Sequence, residues 1–196
     1  YVDACEALDI DSLWLSDRIV AEVMNLEPLV ALSFMAARTT RLKFGTSVLA
    51  LPLRNPTILA KEIATLDFLS QGRMLPAVGL GTEEEREYEA CGTRRSQRVR
   101  RTEEAMQIMR LLWSEDNVTF HGKYYTLNNV TIHPKPVQQN LPPMWIGGRS
   151  EAALRRTARI GDGWLVSQAT PEEVTLGVSK IKGWAKEYGN HIEDDH

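Results

Sequence analysis

The sequence predicts an α/β protein made of alternating strand and helix units. Strand-sized apolar runs begin near residues 12, 42 and 74, about thirty residues apart, which is the length of one strand–helix unit with its loops. These runs are continuous rather than alternating, the pattern of parallel strands buried on both faces. The stretches between them carry apolar residues at helical spacing. Such alternation builds either a doubly wound open sheet or a closed (β/α)8 barrel.

Taken in order, Leu13-Trp14-Leu15 is the first strand and closes on Ser16-Asp17. A helix follows over residues 27–39, with Pro28 in its first turn, where a missing N–H costs nothing. Residues 42–49 are rich in β-formers and give the second strand. Pro56 opens a helix whose apolar face is Ile58, Leu59, Ile63, Leu66 and Leu69, ending at Gln71-Gly72 with the glycine expected as a left-handed cap. Residues 74–80 form the third strand, followed by Gly81-Thr82 and a Glu-rich helical segment. A long helix is predicted over residues 96–113, with Met106, Met109 and Leu112 on one face.

Residues 116–143 break the period. Val118-Thr119-Phe120 and Tyr124-Tyr125-Thr126-Leu127 flank a short loop and read as a hairpin. Pro134, Pro136, Pro142 and Pro143 then forbid regular helix. This insertion is a candidate substrate lid or dimer contact. The alternation resumes with a strand at Met144-Trp145-Ile146, a helix over 150–160, a strand over 163–166 and a last helix over 171–188. A barrel needs about 250 residues, so these five strand units imply an incomplete barrel within one domain spanning residues 1–196.

Apolar residues make up 43% and charged residues 25% of the chain, a globular composition that argues against disorder. A net charge of −3 argues against nucleic acid as a partner, and the arginines of residues 94–101 and 149–159 read as mixed solvated helix faces. Cys5 and Cys91 cannot build a disulfide framework. No apolar run approaches the ~18 residues of a membrane span, and no signal peptide opens the chain. A cytoplasmic protein is expected. The four histidines stand at no trusted ligand spacing, so no metal site is expected.

In both architectures ligands bind at the carboxyl ends of the strands. Gly147-Gly148-Arg149-Ser150 runs from a strand into a helix there. Two glycines allow close backbone approach, the helix start offers N–H groups, and Arg149 suits a phosphate fork. The alternative is a plain tight turn with Ser150 as N-cap. Gly79-Leu80-Gly81 lacks the third glycine of a dinucleotide fingerprint; it either admits a flat ring or serves a loop of positive φ. Asp17 either meets a ligand or caps a helix.

These residues resemble the bacterial luciferase-like family. The resemblance is carried by Ser12-Leu13-Trp14-Leu15-Ser16-Asp17, by Arg41 through Val48, and by Leu66-Asp67-Phe68-Leu69-Ser70-Gln71-Gly72-Arg73. Val78-Gly79-Leu80-Gly81, Trp145-Ile146-Gly147-Gly148 and Ile160-Gly161-Asp162-Gly163-Trp164 extend it in consistent order. It implies a (β/α)8 TIM barrel that holds FMN or the deazaflavin F420, and an oxidoreductase or monooxygenase acting on a small organic substrate. The implied cofactor contacts are Asp17, Thr46, Ser47, Val48, Gly79, Gly81, Gly147, Gly148 and Arg149, with Asp17 and Arg18 at the catalytic position. It also implies a non-proline cis peptide at Ser47-Val48 and a homodimer. Gly45-Thr46-Ser47-Val48 is closer to the F420-using branch.

Two departures stand out. Many relatives place His after the acidic residue that Asp17 matches; here it is Arg18, which cannot serve as a general base. If the strand at residues 12–15 matches the barrel's second, the first, seventh and eighth are missing. Both departures favour the alternative, a non-catalytic flavin-binding protein with a truncated barrel.

Overall fold

The computed structural model describes residues 1–193. A short helix α1 (Val2–Ala7) opens the chain, and the elements after it follow the predicted order: β1 (Ser12–Leu15), α2 (Pro28–Arg38), β2 (Lys43–Thr46), β3 (Leu49–Ala50), α3 (Pro56–Ser70), β4 (Met74–Leu75), β5 (Ala77–Gly79), α4 (Glu85–Ala90) and α5 (Arg98–Ser114). The antiparallel hairpin β6 (Val118–His121) and β7 (Thr126–Val130) comes next. Then follow β8 (Trp145–Gly147), α6 (Glu151–Ile160), β9 (Gly163–Leu165) and α7 (Pro171–Tyr188).

Two predicted strands are each broken in two. The run at 42–49 divides into β2 and β3 around Ser47-Val48, whose peptide bond is cis, as the family resemblance implies. The run at 74–80 divides around Pro76, which has no N–H for the ladder. Thr46 bridges the interruption: its Oγ1 donates to the Ala77 carbonyl at 2.7 Å and accepts from the Ala77 N–H at 3.0 Å. The parallel ladders β1-β2-β4 and β3-β5-β8-β9 thereby join into one wall, with Leu13 beside Phe44, Leu49 beside Val78, and Trp145 beside Gly163. Among the described residues this wall does not close, and β1 and β9 are its edges.

The helices begin as the sequence predicts. Glu27 accepts from the Val30 N–H ahead of Pro28, and Asn55 from Thr57 and Ile58 around Pro56. Thr170 and Glu173 form a reciprocal capping box for α7. The α3 cap differs in detail, because Gln71 itself is left-handed (φ 59°) and Gly72 follows with φ 83°. Phe44, Leu49, Ile63 and Met74 join Met106, Ile108, Met109 and Trp113 in the main core. The Trp113 indole N–H donates to the Ala60 carbonyl at 2.9 Å and ties α5 to α3.

The hairpin belongs to this core. Val118, Leu127 and Ile132 are buried in it. The fully buried Glu104 accepts from the Lys123 and Tyr124 N–H groups at 2.8 and 2.9 Å. Burial works against that carboxylate, but the two N–H groups and Arg100 outweigh it and hold its pKa below the usual range.

The motif most specific to the resemblance is a brace at the amino ends of the strands. Asp67, fully buried, accepts from the Val137 N–H at 2.8 Å and from Gln138 Nε2 at 2.6 Å, pinning the proline-rich connection. Arg73 spreads its guanidinium over the carbonyls of Ser70, Leu42, Ala36 and Thr39 and the Thr39 hydroxyl. The opposite ends of the strands are thus left for a ligand. No helix is long and apolar enough to cross a membrane, among the described residues.

Candidate functional site

A cleft of about 600 Å³ opens at the carboxyl ends of the strands. Ser16, Asp17 and Arg18 enter it after β1, Ser47 and Val48 between β2 and β3, and Gly79 to Glu83 after β5. Gly147 ends β8 and Gly148 follows it, Ser150 caps α6, Ala152, Ala153 and Arg156 come from α6, and Arg98 and Val99 from α5. Eight of the residues singled out in the sequence therefore converge: Asp17, Arg18, Ser47, Val48, Gly79, Gly81, Gly147 and Gly148. None of residues 116–143 lines the cleft, so the hairpin is no lid over it in this structure.

Thr46 and Arg149 are placed elsewhere. Thr46 is wholly buried in its bridge to Ala77. The Arg149 guanidinium donates to the Gln168 carbonyl at 2.6 Å and lines a separate small cavity beside Trp164. Sequence position put both at strand ends, but the β2–β3 break turns Thr46 inward and the loop after β9 captures Arg149.

Asp17 lies at the base of the cleft with its side chain 1% exposed. Its Oδ2 accepts from the Ala50 N–H at 3.0 Å and Arg54 Nε at 3.1 Å, and its Oδ1 from Arg54 Nη2 at 2.8 Å. Burial alone would lower the Arg54 pKa; the hydrogen bonds and charge of Asp17 and Glu27 outweigh it and hold it above the ordinary value. Arg18 is 41% exposed on its side chain, 4.0 Å from Glu87. Buried Glu87 accepts from the Ile19 N–H at 2.8 Å and the Thr82 hydroxyl at 3.0 Å, clipping the loop after β1 to the loop after β5.

Val48 forms the floor. A Cβ on Gly79 would stand 2.6 Å from Val48 Cγ2, and one on Gly147 2.9 Å from Val48 Cγ1. Those two glycines therefore receive the valine, and the valine presents the apolar surface. Gly148 has φ 122°, and a Cβ there would meet the Ala153 methyl at 2.9 Å. That turn delivers the first turn of α6 to the cleft. Ser150 Oγ accepts from the Ala153 N–H, while helix geometry leaves the N–H groups of Glu151 and Ala152 to a ligand.

Sequence reasoning missed Arg98 and Arg156, which had read as members of solvated charge runs. Arg98 donates to the Thr82 carbonyl at 3.1 Å and to Glu83 at 2.7 Å, and holds the Glu83 carboxyl below its ordinary pKa. Arg156 is 7% exposed, and burial pushes its pKa down against the opposing charge of Glu103. The signal available in sequence was the pair Ala152 and Ala153, three and four residues before Arg156 on the same helix face. Among the described residues no group of three or more His, Cys, Asp or Glu is placed to hold a metal ion.

Comparison with known proteins agrees with this geometry. The family model for luciferase-like monooxygenase matches residues 1–194. The chain is 36% identical over 168 residues to an F420-dependent glucose-6-phosphate dehydrogenase of Kineococcus radiotolerans, covering 82% of this chain and 49% of the relative. It is 31% identical over 162 residues to an FMNH2-dependent dimethylsulfone monooxygenase of Pseudomonas putida, covering 81% and 44%. An F420-dependent secondary alcohol dehydrogenase, solved with an F420–acetone adduct, superposes with a TM-score of 0.86 at 25% identity, covering 97% of this chain and 59% of that one. The chain thus spans about half the length of the curated relatives it matches. A parallel wall, a cleft at its carboxyl ends and a matching family model together place this chain in the luciferase-like monooxygenase family.

Proposed function

We propose that the chain is the cofactor-binding part of an F420- or FMN-dependent oxidoreductase acting on a small organic substrate, with F420 favoured by Gly45-Thr46-Ser47-Val48. The observation that carries this is the Gly147-Gly148 turn, which brings the N–H groups of α6 to a cleft floored by Val48. The residues fit the group: a backbone cradle that a Cβ would fill at Gly148, an apolar platform, and a buried arginine, Arg156, whose Nε has no acceptor among the described residues. When bound, such a cofactor supplies hydride transfer or, as reduced flavin, reaction with oxygen.

The chain's own residues would bind and orient it. The turn and the start of α6 take the phosphate, and Val48 supports the ring. Asp17, through Arg54 and the Ala50 N–H, holds the ends of β1 and β3 in place. Arg18, at the mouth, offers a cation to an anionic ring or substrate; no proton step is assigned to it. The proposal extends to a single barrel domain carrying residues 116–143 as an insertion, to a cytoplasmic location and to a homodimer. Exposed Val30, Phe34 and Leu69 on α2 and α3 support the dimer.

The test is a fluorescence and absorbance titration of the chain with FMN and, separately, with F420. Saturable binding of one is expected, weakened at least about tenfold by Gly148→Val, roughly 1.4 kcal/mol. Affinity unchanged by Gly148→Val refutes the phosphate turn, and binding of neither cofactor refutes the function.

A further inference from the structure

Arg156 is 93% buried in the wall of the cleft, yet its guanidinium donates no hydrogen bond among the described residues. Its Nε is sealed from solvent without an acceptor, and the nearest carboxylate oxygen, Glu103 Oε1, stands 3.7 Å away. That same oxygen already receives Arg159. An arginine carries five donors, and a buried one keeps them met unless a partner is still to come. Two other arginines with little exposure follow that rule: Arg73 spreads over four carbonyls and a hydroxyl, and Arg54 forks onto Asp17.

The position says what the partner is. Ala152 and Ala153 lie one turn before Arg156 on the same face of α6, and all three line the cleft. Long helical side chains lean toward the helix amino terminus, here toward the Gly147-Gly148 turn and the N–H groups of Glu151 and Ala152. The two alanines, having no reach of their own, leave that path clear. A guanidinium fork beside a helix amino terminus matches a phosphoryl group, whose oxygens can accept from both at once.

We propose that Arg156 completes a phosphoryl-binding subsite with the Gly147-Gly148 turn and the first turn of α6, its free donors engaging the phosphate oxygens that the backbone leaves. The proposal rests on the cofactor reading above when the phosphate is the cofactor's. A phosphorylated substrate would present the same chemistry.

The test compares ligands with and without phosphate on the full chain: FMN against riboflavin, and F420 against its deazaflavin alcohol. In the wild type the phosphate is expected to strengthen binding by about 100-fold. Arg156→Met, similar in length and uncharged, should cut that increment at least about tenfold and leave riboflavin affinity within about twofold. Arg156→Lys, which keeps the charge without the fork, should fall between. Equal weakening of phosphorylated and unphosphorylated ligands, or an unchanged increment, overturns the proposal and leaves the cofactor reading standing. A second arm follows thermal stabilisation by inorganic phosphate. A shift seen in wild type and absent in Arg156→Met, with neither ring bound, upholds the subsite and overturns the cofactor reading. If that Arg156-dependent shift persists in cofactor-loaded wild type, the phosphate belongs to the substrate.

Discussion

Asp17 and Arg18 are neighbours in sequence with opposite situations, and the difference is testable. The Asp17 carboxylate is enclosed and accepts three hydrogen bonds, two from Arg54. Removing it strands a largely buried guanidinium, which keeps Glu27 at 2.9 Å as its remaining partner. Asp17→Ala is therefore expected to lower unfolding stability by about 3 kcal/mol, read as a shift of urea midpoint at constant m-value. Arg18→Ala, at an exposed position, should stay within about 0.5 kcal/mol and act on ligand affinity instead. Unchanged stability in Asp17→Ala would show that the carboxylate is not a brace and return it to the ligand. The sequence showed that both residues stand at a strand end. It could not show that Arg54, 37 residues on, consumes the carboxylate, because that pairing depends on how β1 meets the segment after β3.

At the scale of elements, α1 is latched mainly by Glu6, beside the Asp3–Arg38 pair and the Arg41 guanidinium on the Glu6 carbonyl. Glu6 accepts from the N–H groups of Thr40, Arg41 and Leu42 at 2.8 to 2.9 Å, just ahead of β2. The Thr40 N–H leads the effects that bring its pKa down from 4.5 to about 2. A carboxylate with a depressed folded pKa stabilises above its unfolded value and loses that contribution as protons bind. The latch should therefore be intact above about pH 4.5 and lost progressively as pH falls toward 2. Hydrogen exchange of the Thr40 to Leu42 amides should accelerate across that window relative to the β5 amides. Glu6→Gln should show fast exchange at those amides at pH 7, with no further change relative to the β5 amides across the window. A flat wild-type profile would contradict the latch. Helix starts were legible because Pro28, Pro56 and Pro171 act locally. Periodicity ran straight through the strand breaks at 47–48 and at Pro76: only the family resemblance marked the first, and the second comes from the missing N–H of a proline inside an apolar run.

At the scale of the whole molecule, the outer face of α2 and α3 is unusually apolar. Val30, Phe34 and Leu69 are 71, 63 and 73% exposed. A groove of about 500 Å³ runs between the helices past Leu29 and Leu66, with Lys61 and Glu62 beside it. Patches of this kind mark association surfaces, and opposite charges side by side on one helix suit a two-fold arrangement in which each meets the other. Sedimentation of the chain is expected to show a dimer, and Phe34→Glu with Leu69→Glu a monomer of unchanged far-UV spectrum. A wild-type monomer at all accessible concentrations would remove the homodimer.

The sequence by itself determined the order of strands and helices, the helix starts, the family, and the end of the strands where a ligand belongs. Those follow from local periodicity, turn chemistry and the rule that parallel strands expose their carboxyl ends together. Only the tertiary structure decided which of the strand-end residues reach the cleft. Thr46 and Arg149 fell away, Val48 became the floor, and Asp67 and Arg73 proved to brace the opposite end. It also turned Arg156, one charge among several in a basic run, into a buried cation whose Nε has no acceptor among the described residues. Burial of a charge is set by what packs against it from distant parts of the chain, here Glu103 on α5, and no local pattern carries that information.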